Sequence, residues 1–229
     1  MVKINLHRGI SGTVKTVTVQ RDSCGRWHAI FSAEGEPGMI TVHPGPAVGL
    51  DVGLEKFAAL SDGSVIENPR YLRKTEKRLK HAHRALSRKQ KASRNRKKAR
   101  LKVARLHAKI RSQRRDFLHK ASRRLVNTYS MVAVEDLAVR NMVKNHHLAK
   151  SISDAGWSEF LTMLCYKAEE AGSRVVKVNP SGTSQECSRC GTTVAKDLSV
   201  RLHKCPHCGL VVDRDVNAAR NILARAIAV

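Results

Sequence analysis

One stretch of the chain, residues 70–124, is too basic to lie in the hydrophobic core of any fold. It holds 24 Lys and Arg residues and two acids, Glu76 and Asp116. The rest of the 229-residue chain has 19 Lys and Arg against 17 acids, so nearly all of the net charge of +24 comes from this stretch. The sequence therefore predicts an almost neutral globular body with one basic insertion, whose partner is a polyanion such as nucleic acid.

The composition argues against a membrane-spanning or wholly disordered chain. Apolar residues make up 41% of the sequence, which is enough for a hydrophobic core. The sequence has no run of about 18 apolar residues, and residues 1–8 lack the apolar stretch of a signal peptide. Aromatic residues make up 4%, fewer than a membrane-binding face requires. We therefore expect no membrane partner and no export.

Short apolar runs on both sides of the basic stretch predict the strands of one sheet. Residues 47–54 surround a single acid, Asp51, and residues 129–137 end on Glu135 and Asp136. Continuous apolar runs of this length are typical of strands buried on both faces. Further strands are predicted at 57–61, 64–66 and 174–180, and antiparallel strands with a turn at 34–38 are predicted within residues 3–42.

Within the basic stretch, apolar residues recur at helical spacing. Leu72, Leu79 and Leu86 are seven residues apart, and a second stripe runs from Val103 to Leu125. We predict two long helices that form a hairpin, with a basic tip at residues 87–100. A solvated surface is the alternative, but cations with so few acids to pair with favour phosphate contacts, which position a nucleic acid without reading its bases. The tip residues predicted to make these contacts are Arg88, Lys89, Lys91, Arg94, Arg96, Lys97, Lys98 and Arg100.

Two more helices are predicted after the second buried strand. Residues 154–171 carry apolar side chains at helical spacing, and we expect Trp157 and Phe160 in the core. A final helix begins at about Val216. The polar residues expected on its exposed side are Asn217, Arg220 and Asn221.

Four cysteines form two C-x2-C pairs with 14 residues between them. The pairs are Cys187 with Cys190 and Cys205 with Cys208. Four thiolates satisfy tetrahedral Zn2+ and leave no position for water, so this zinc would be structural. Two disulfides or free thiols are the alternative, and His203 or His207 could replace a cysteine as a ligand.

Three acids occupy positions where a charge is costly. Asp51 lies within an apolar strand, Glu135 ends another, and Asp215 opens the last helix. A buried carboxylate costs on the order of several kcal/mol unless it is paired or binds a cation, and Mg2+ or Mn2+ prefer oxygen ligands. Other roles stay open: Asp213 or Asp215 could be a helix N-cap, Glu135 could pair with an arginine, and Asp136 could be a turn residue.

Four motifs, in this order along the chain, carry a resemblance to a known family. They are GLDVG at residues 49–53, VEDL at 134–137, NPSGTSQECSRCG at 179–191 and DRDVNAARNI at 213–222. Together they resemble the insertion-sequence OrfB (TnpB) transposase-like family, which is related to type V CRISPR effector nucleases. The resemblance covers residues 3–224.

The resemblance implies an α/β fold: an RNase H-like (RuvC) mixed sheet with flanking helices, a long basic helical hairpin insertion and a zinc ribbon insertion. Typical members begin with a longer N-terminal part, so residues 1–46 are expected to be the remnant of a β-barrel-type domain in an N-terminally truncated chain. The other expected segments are 47–69 and 127–182 for the RuvC-like core, 70–126 for the hairpin, 183–212 for the zinc ribbon and 213–229 for the final RuvC-like helix.

The resemblance also implies a chemistry and partners. Asp51, Glu135 and Asp215 would bind two Mg2+ or Mn2+ ions and hydrolyse a DNA phosphodiester, and the four cysteines would bind structural Zn2+. The implied partners are DNA and a transposon-encoded guide RNA, whose base pairing reads the target. We expect the protein in the cytoplasm of a prokaryotic cell, at the nucleoid when bound to DNA, with Arg189 and Lys196 facing the DNA.

Two other functions stay open on the sequence alone. A nuclease-silent or decayed nucleic-acid-binding transposon protein would keep the fold and bind tightly in a salt-sensitive way without cutting. A zinc-ribbon structural protein, such as a ribosomal or transcription accessory factor, would be indifferent to substitution of all three carboxylates. The oligomeric state is not encoded in any of these patterns.

Overall fold

The computed structural model describes residues 4–6, 9–35, 42–197 and 199–228. The predicted turn at residues 34–38 lies partly outside these ranges. The chain forms two units, the first from residues 1–40 and 72–113 and the second from residues 41–71 and 114–229. Within the described ranges, no helix has both the length and the apolar surface that crossing a membrane requires.

The first unit contains an antiparallel hairpin of strands β1 (Thr13–Arg21) and β2 (Trp27–Glu34). The alternating valines and threonines of β1 favour the extended conformation. Asp22 fixes the turn, because its Oδ1 accepts hydrogen bonds from the backbone N–H groups of Cys24 (2.8 Å) and Arg26 (2.9 Å). The prediction of antiparallel strands is confirmed for these residues.

The basic stretch folds as the predicted pair of long helices, α1 (Tyr71–Ser87) and α2 (Arg94–Thr128). Most of α1 and the first half of α2 belong to the first unit, and the last turns of α2 continue into the second. The helices bury few side chains in the first unit, among them Ala82, Val103 and Ile110. The thin apolar stripe seen in the sequence therefore corresponds to a hairpin whose surface is mostly exposed.

A five-stranded mixed sheet forms the centre of the second unit, as the apolar runs predict. Its strands in chain order are β3 (Ala47–Val52), β4 (Lys56–Leu60), β5 (Val65–Glu67), β6 (Met131–Glu135) and β7 (Arg174–Val178). In the sheet they lie in the order β5-β4-β3-β6-β7. Strands β3, β6 and β7 are parallel, whereas β4 and β5 run antiparallel to their neighbours.

Three helices connect β6 to β7: α3 (Val139–Met142), α4 (Ala149–Ala155) and α5 (Trp157–Ala171). The prediction of one continuous helix over residues 154–171 is wrong at its start. Gly156 has a φ of 74°, a left-handed conformation that ends α4 and redirects the chain into α5. The start of α5 nevertheless reaches the core as predicted, with Trp157 and Phe160 buried.

The C-terminal part of the second unit contains a small hairpin and one helix. Strands β8 (Leu202–Lys204) and β9 (Val211–Asp213) pair antiparallel, and α6 (Arg214–Ile227) follows at once. The helix begins two residues before the predicted start, because Asp213 caps it with its side chain.

Helices cover both faces of the sheet, which explains the continuous apolar runs. In β6, Val132 and Val134 belong to a hydrophobic cluster that includes the last turns of α2 and much of α5. Met131 and Ala133 belong to a second cluster with Ile222 of α6. Successive side chains of a strand point to opposite faces, so a strand covered on both sides must be apolar at every position.

Candidate active site and metal centre

The sheet register places two carboxylates side by side. Leu50 of β3 pairs with Val134 of the parallel strand β6, so the next residues along each strand, Asp51 and Glu135, are neighbours. Both lie at the carboxyl ends of central parallel strands, where ligands commonly bind in open α/β sheets. Both side chains are half-buried.

The third carboxylate, Asp215, comes from the first turn of α6. This helix crosses β3 so closely that a β-carbon at Gly49 would overlap the carbonyl oxygen of Ala219. The Oδ1 of Asp213 accepts hydrogen bonds from the N–H groups of Asp215 (2.9 Å) and Val216 (3.3 Å). Asp213 is therefore the N-cap, and the side chain of Asp215 is left for another role.

Burial and neighbouring charges shift the pKa values of Asp51 and Glu135. Burial raises the pKa of Asp51 well above its usual range, and the negative charges of Glu135 and Asp215 raise it further, partly opposed by Arg214. Burial also raises the pKa of Glu135, against the effects of a hydrogen bond from Thr183 and the charge of Arg225. This pattern identifies a site where negative charge accumulates and where a cation is favoured.

Specific side chains hold two of the carboxylates. The Thr183 hydroxyl donates to Oε1 of Glu135 at 2.5 Å. The Nε and Nη2 of Arg214 both donate to Oδ1 of Asp215, each at 3.2 Å. Glu135 thus has a threonine as its hydrogen-bond donor, while the nearby Arg225 binds the carboxylate of Glu186 at 2.8 Å.

Two other acids near the site have structural partners. Asp213 accepts a hydrogen bond from Nζ of Lys56 at 2.7 Å, in addition to capping α6. Asp136, adjacent to Glu135, is exposed and pairs with Lys177 at 3.5 Å. The sequence left these acids as alternatives: Asp213 caps α6 and pairs with Lys56, and Asp136 pairs with Lys177 at the surface.

The prediction that Asn217 and Asn221 lie on the exposed side of the last helix is wrong. Both are buried, because they bind the backbone of the segment that precedes the cysteines. The amide of Asn221 donates to the carbonyls of Thr183 (2.8 Å) and Glu186 (2.7 Å), and that of Asn217 donates to Glu186 at 2.7 Å. A buried asparagine needs such hydrogen-bond partners, and the spacing of apolar residues does not predict its burial. Arg220 is exposed, as predicted.

The four cysteines converge on one point. Their sulfur atoms all lie within 4.8 Å of one another, with Cys187 and Cys208 at 3.6 Å and Cys190 and Cys205 at 3.6 Å. Among the residues that the structure describes, no other group of possible metal ligands is gathered so tightly. For the three carboxylates, closeness is indicated by the charges of Glu135 and Asp215, which add to the effect of burial on the pKa of Asp51.

Tight backbone turns and hydrogen bonds surround the cysteine sulfurs. Gly191 and Gly209 have left-handed φ values of 75° and 71°, and their N–H groups donate to the carbonyls of Cys187 and Cys205. Hydrogen bonds from Thr192 lower the pKa of Cys190 to about 5. The backbone bond from Leu210 also favours the Cys208 thiolate, yet burial and the neighbouring sulfurs raise the pKa of Cys208 to about 12. Four thiolates this close repel one another unless a cation lies among them. The cluster could therefore hold a metal ion such as Zn2+.

Neither histidine of the cysteine segment takes part in this cluster of ligand atoms. His203 is fully buried and its Nδ1 contacts Nζ of Lys196, while His207 is exposed. Burial lowers the pKa of Lys196, as does the charge of Arg214. Lys196 is therefore turned toward His203, whereas Arg189 is exposed and available to a partner.

The cations of the basic tip differ in their roles. Seven of the eight predicted contact residues are exposed. The exception is the half-buried Arg96, whose Nη1 donates to the carbonyls of Leu86 (3.2 Å) and Lys89 (3.0 Å). Arg96 thus fixes the turn between α1 and α2, and the remaining cations face solvent.

Two residues that donate hydrogen bonds to the carboxylates were not predicted from the sequence. Thr183 lies in the motif NPSGTSQE. The sequence signal for its role was a hydroxyl residue between a Pro-Ser-Gly turn and the first cysteine. Arg214 lies between Asp213 and Asp215, and a cation placed between two acids was the signal there. Both act through hydrogen bonds to carboxylates, which a residue spacing does not reveal.

Two regions of the chain match known protein families. Residues 31–146 match the OrfB_IS605 family, described as "Probable transposase". Residues 157–222 match the family described as "Cas12f1-like, TNB domain". The first match covers half of the chain and includes Asp51 and Glu135, and the second includes Asp215 and the four cysteines.

The chain is similar to two curated bacterial proteins over most of its length. A Streptomyces pristinaespiralis protein named "Putative RNA-guided DNA endonuclease" is 49% identical over 221 residues, which are 93% of this chain and 53% of that protein. The Escherichia coli K12 protein named "Putative RNA-guided DNA endonuclease InsQ" is 41% identical over 239 residues, covering 97% of this chain and 59% of that protein. The chain thus spans little more than half the length of these relatives.

The fold is similar to that of a chain in a solved protein–nucleic acid complex. The cryo-EM structure of a Cas12f1–sgRNA–target DNA complex aligns with a TM-score of 0.56 at 20% identity, over 90% of this chain and 55% of that chain. At this level of identity the likeness concerns the fold. The predicted α/β architecture with a mixed sheet and flanking helices is confirmed.

Proposed function

This chain belongs to the OrfB_IS605 family of probable transposases, and on that premise we propose that it is a metal-dependent DNA endonuclease guided by RNA. The names of the two relatives support this proposal. Because the chain spans little more than half of each relative, their whole activity, including the guide and the target, belongs to the proposal.

The observation that carries the proposal is the convergence of three carboxylates from three distant segments. Asp51 and Glu135 are neighbours in the sheet register, and Asp215 is close enough to raise the pKa of Asp51. A fold gains nothing in stability from three acids that repel one another, so a cation-dependent reaction is the better account of their placement.

Asp51, Glu135 and Asp215 would hold Mg2+ or Mn2+, since hard divalent cations prefer carboxylate oxygens. Bound there, the ions would activate water and stabilise the leaving oxygen of a phosphodiester. The chain's own residues prepare the carboxylates for this task. Thr183 orients Glu135, Arg214 binds Asp215, and the cap at Asp213 fixes the first turn of α6.

For the cysteine segment, residues 183–212, we propose a zinc ribbon. Four sulfurs within 4.8 Å and two left-handed glycine turns fit tetrahedral Zn2+. The asparagines of α6 bind the backbone just before Cys187, so the ribbon is anchored on the helix that carries Asp215. We propose a structural role for this zinc.

For the basic tip we propose contacts with nucleic-acid phosphates. Its exposed cations, among them Lys97 and Lys98 at the start of α2, would bind a polyanion. Contacts of this kind with phosphates position a nucleic acid without reading its bases. The Cas12f1 structure of similar fold contains an sgRNA and a target DNA, which supports RNA and DNA as partners here. We place this activity in the cytoplasm, at the nucleoid when the protein is bound to DNA.

The proposal is tested with protein purified from cells that express it with its genomic surroundings, so that bound RNA is retained. The RNA is sequenced, and the complex is incubated with matching DNA in Mg2+. We expect cleavage by the unaltered protein and a loss of at least about 100-fold in the Asp51→Ala variant, because the metal site loses a ligand.

The matched control is Asp136→Ala, which removes an exposed carboxylate next to Glu135 and is expected to leave cleavage unchanged. RNA and DNA binding without Mg2+-dependent cleavage would identify a nuclease-silent binding protein and reject the endonuclease. Cleavage that survives Asp51→Ala would reject the carboxylate site. Absence of both bound RNA and cleavage would reject the guided-nuclease proposal altogether.

A further inference from the structure

Thr183 is a buried hydroxyl residue in direct contact with a carboxylate of the site. It lies between β7 and the first cysteine, and only 3% of its surface is exposed. Its Oγ1 lies 2.5 Å from Oε1 of Glu135 and 3.1 Å from the carbonyl oxygen of Pro180. A hydroxyl has one proton to donate, and the shorter, charge-assisted contact to the carboxylate is the stronger of the two.

The backbone around Thr183 is fixed by α6. Asn221 donates to the carbonyl of Thr183 at 2.8 Å. Arg225, one helical turn further along, donates to the carbonyls of Asn179 (2.8 Å) and Ser181 (2.7 Å). The loop that carries the hydroxyl is therefore bound, at Thr183 and just before it, by the same helix that carries Asp215.

From this arrangement we propose that Thr183 is a positioning residue for Glu135: it orients this carboxylate for a divalent metal ion. The inference rests on the proposed function, because it assigns Glu135 to the metal site. Thr183 itself does not touch the metal or the substrate. It acts through Glu135, and it connects the orientation of Glu135 to the position of α6 and hence to Asp215.

The physical reason lies in what one hydrogen bond does to a half-buried carboxylate. The hydrogen bond to Oε1 restricts the rotation of the carboxylate group, so Glu135 would present its oxygens to a metal ion in one orientation. Hydrogen bonds to metal-binding carboxylates orient the ligands in this way, and their loss typically weakens metal binding about 10–100-fold.

A purely structural role is the competing explanation, because Thr183 also packs in a buried loop. The two explanations separate when the hydroxyl and the methyl group are removed independently. Thr183→Val keeps the shape and loses the hydroxyl, whereas Thr183→Ser keeps the hydroxyl and loses the methyl group. Thr183→Ala, compared with Thr183→Ser, repeats the hydroxyl comparison in a smaller side chain and serves if the valine variant does not fold.

The experiment measures Mn2+ binding to the purified chain by the electron paramagnetic resonance signal of free Mn2+, without nucleic acid or turnover. Asp51→Asn identifies the part of the binding that belongs to the carboxylate site. We expect about tenfold weaker binding in Thr183→Val than in the unaltered chain, and about tenfold weaker binding in Thr183→Ala than in Thr183→Ser. Thr183→Ser should bind within about twofold of the unaltered chain, although it loses packing.

The matched control is Thr162→Val, the same change at an exposed position of α5 whose hydroxyl donates to the carbonyl of Ser158. It should leave Mn2+ binding unchanged. Equal Mn2+ affinity in both members of each hydroxyl pair would overturn the role of Thr183 and leave the proposed function standing. Absence of Asp51-dependent Mn2+ binding in the unaltered chain would overturn the metal site and this inference together.

Discussion

The carboxylate site and the basic tip each gather charges of one sign, but they hold them in opposite ways. In the site, half-buried acids from three segments are each placed by strand register, a helix cap or a specific donor. In the tip, seven of eight cations face solvent, and Arg96 is the one with backbone partners that fix the turn.

The difference follows from the cost of charge in each place. Water screens the repulsion between exposed cations, so the tip needs no precise geometry to hold them. Half-buried acids are poorly screened, so burial and their repulsion both raise the pKa of Asp51, and each acid must be held in place by the fold. The site is thus expected to be sensitive to small structural changes, whereas the tip is expected to respond mainly to changes in total charge.

The largest expected effect comes from adding a side chain at Gly49. Its β-carbon would overlap the carbonyl oxygen of Ala219 and lie 2.8 Å from the amide nitrogen of Leu223, so α6 must move away from β3. We expect Gly49→Val to destabilise the fold by about 3 kcal/mol and to abolish Asp51-dependent Mn2+ binding, because Asp215 moves with α6. Urea unfolding and Mn2+ titration measure both effects.

The control for this change is Gly35→Ala, where an added β-carbon has no atom within 4 Å. A change below about 0.5 kcal/mol is expected there. If Gly49→Val unfolded at the same urea concentration as the unaltered chain, the close packing of α6 on β3 would be contradicted.

Removing a charge from the site is expected to increase the free energy of unfolding, by less than Gly49→Val lowers it. The pKa of Asp51 in the folded chain lies above its unfolded value of about 3.9. Its contribution to stability is therefore complete below pH 4 and is lost as the pH rises toward the folded pKa. Without divalent ions, we expect Asp51→Asn to be more stable than the unaltered chain at pH 7.5 by about 2 kcal/mol, with a flatter pH dependence above pH 4.

Thermal unfolding between pH 4 and pH 8 measures this prediction. Mn2+ should stabilise the unaltered chain and have little effect on Asp51→Asn, because a ligand that binds the folded state stabilises it. Asp136→Asn, which neutralises an exposed acid, should change stability by less than about 0.5 kcal/mol. The prediction would be contradicted if Asp51→Asn were less stable than the unaltered chain at pH 7.5. Favourable contacts of the Asp51 carboxylate would then outweigh its burial and repulsion in the metal-free fold.

The smallest effect on stability is expected for the exposed lysines of the tip. Lys97→Gln with Lys98→Gln removes two exposed charges, so the free energy of unfolding should change by less than about 0.5 kcal/mol. Nucleic-acid binding should weaken, and its dependence on log salt concentration should become shallower by about two, because each lysine neutralises one phosphate. Filter binding over a range of NaCl concentrations measures this slope.

Arg96→Gln sharpens the same comparison within the tip. It also removes one charge, but it leaves two carbonyls of the turn without their donor. We expect a cost of about 1 kcal/mol in unfolding free energy that the lysine changes do not share. Equal stability of all tip variants would contradict the structural role assigned to Arg96.

The sequence predicts the sheet well because burial on both faces leaves a local signature. The apolar runs around Asp51 and before Glu135 predict two strands, and Asp51 is conspicuous because its neighbours in the strand are apolar. The two long basic helices are equally local, since seven-residue spacing is visible without knowledge of the partner. Where a single element carries the pattern, sequence and structure agree.

The sequence does not predict contacts between polar groups from different segments. Asn217 and Asn221 are buried against backbone carbonyls, so their polarity misleads a pattern built on apolar residues. Gly156 ends a helix because of its left-handed φ, although the apolar spacing runs on through it. Thr183 reaches Glu135 across a loop, a contact that depends on the register of β7 and the position of α6.

The packing of α6 against β3 also has a consequence for synthesis of the protein. A nascent chain emerging from the ribosome presents Asp51 first, then the basic helices, then Glu135, and Asp215 after the cysteine segment. Strand β3 cannot bury its α6-facing side until that helix has been translated. The chain can therefore acquire its positive surface early, while assembly of the three acids waits for translation of α6, so a chain made only as far as the cysteine segment lacks the third acid.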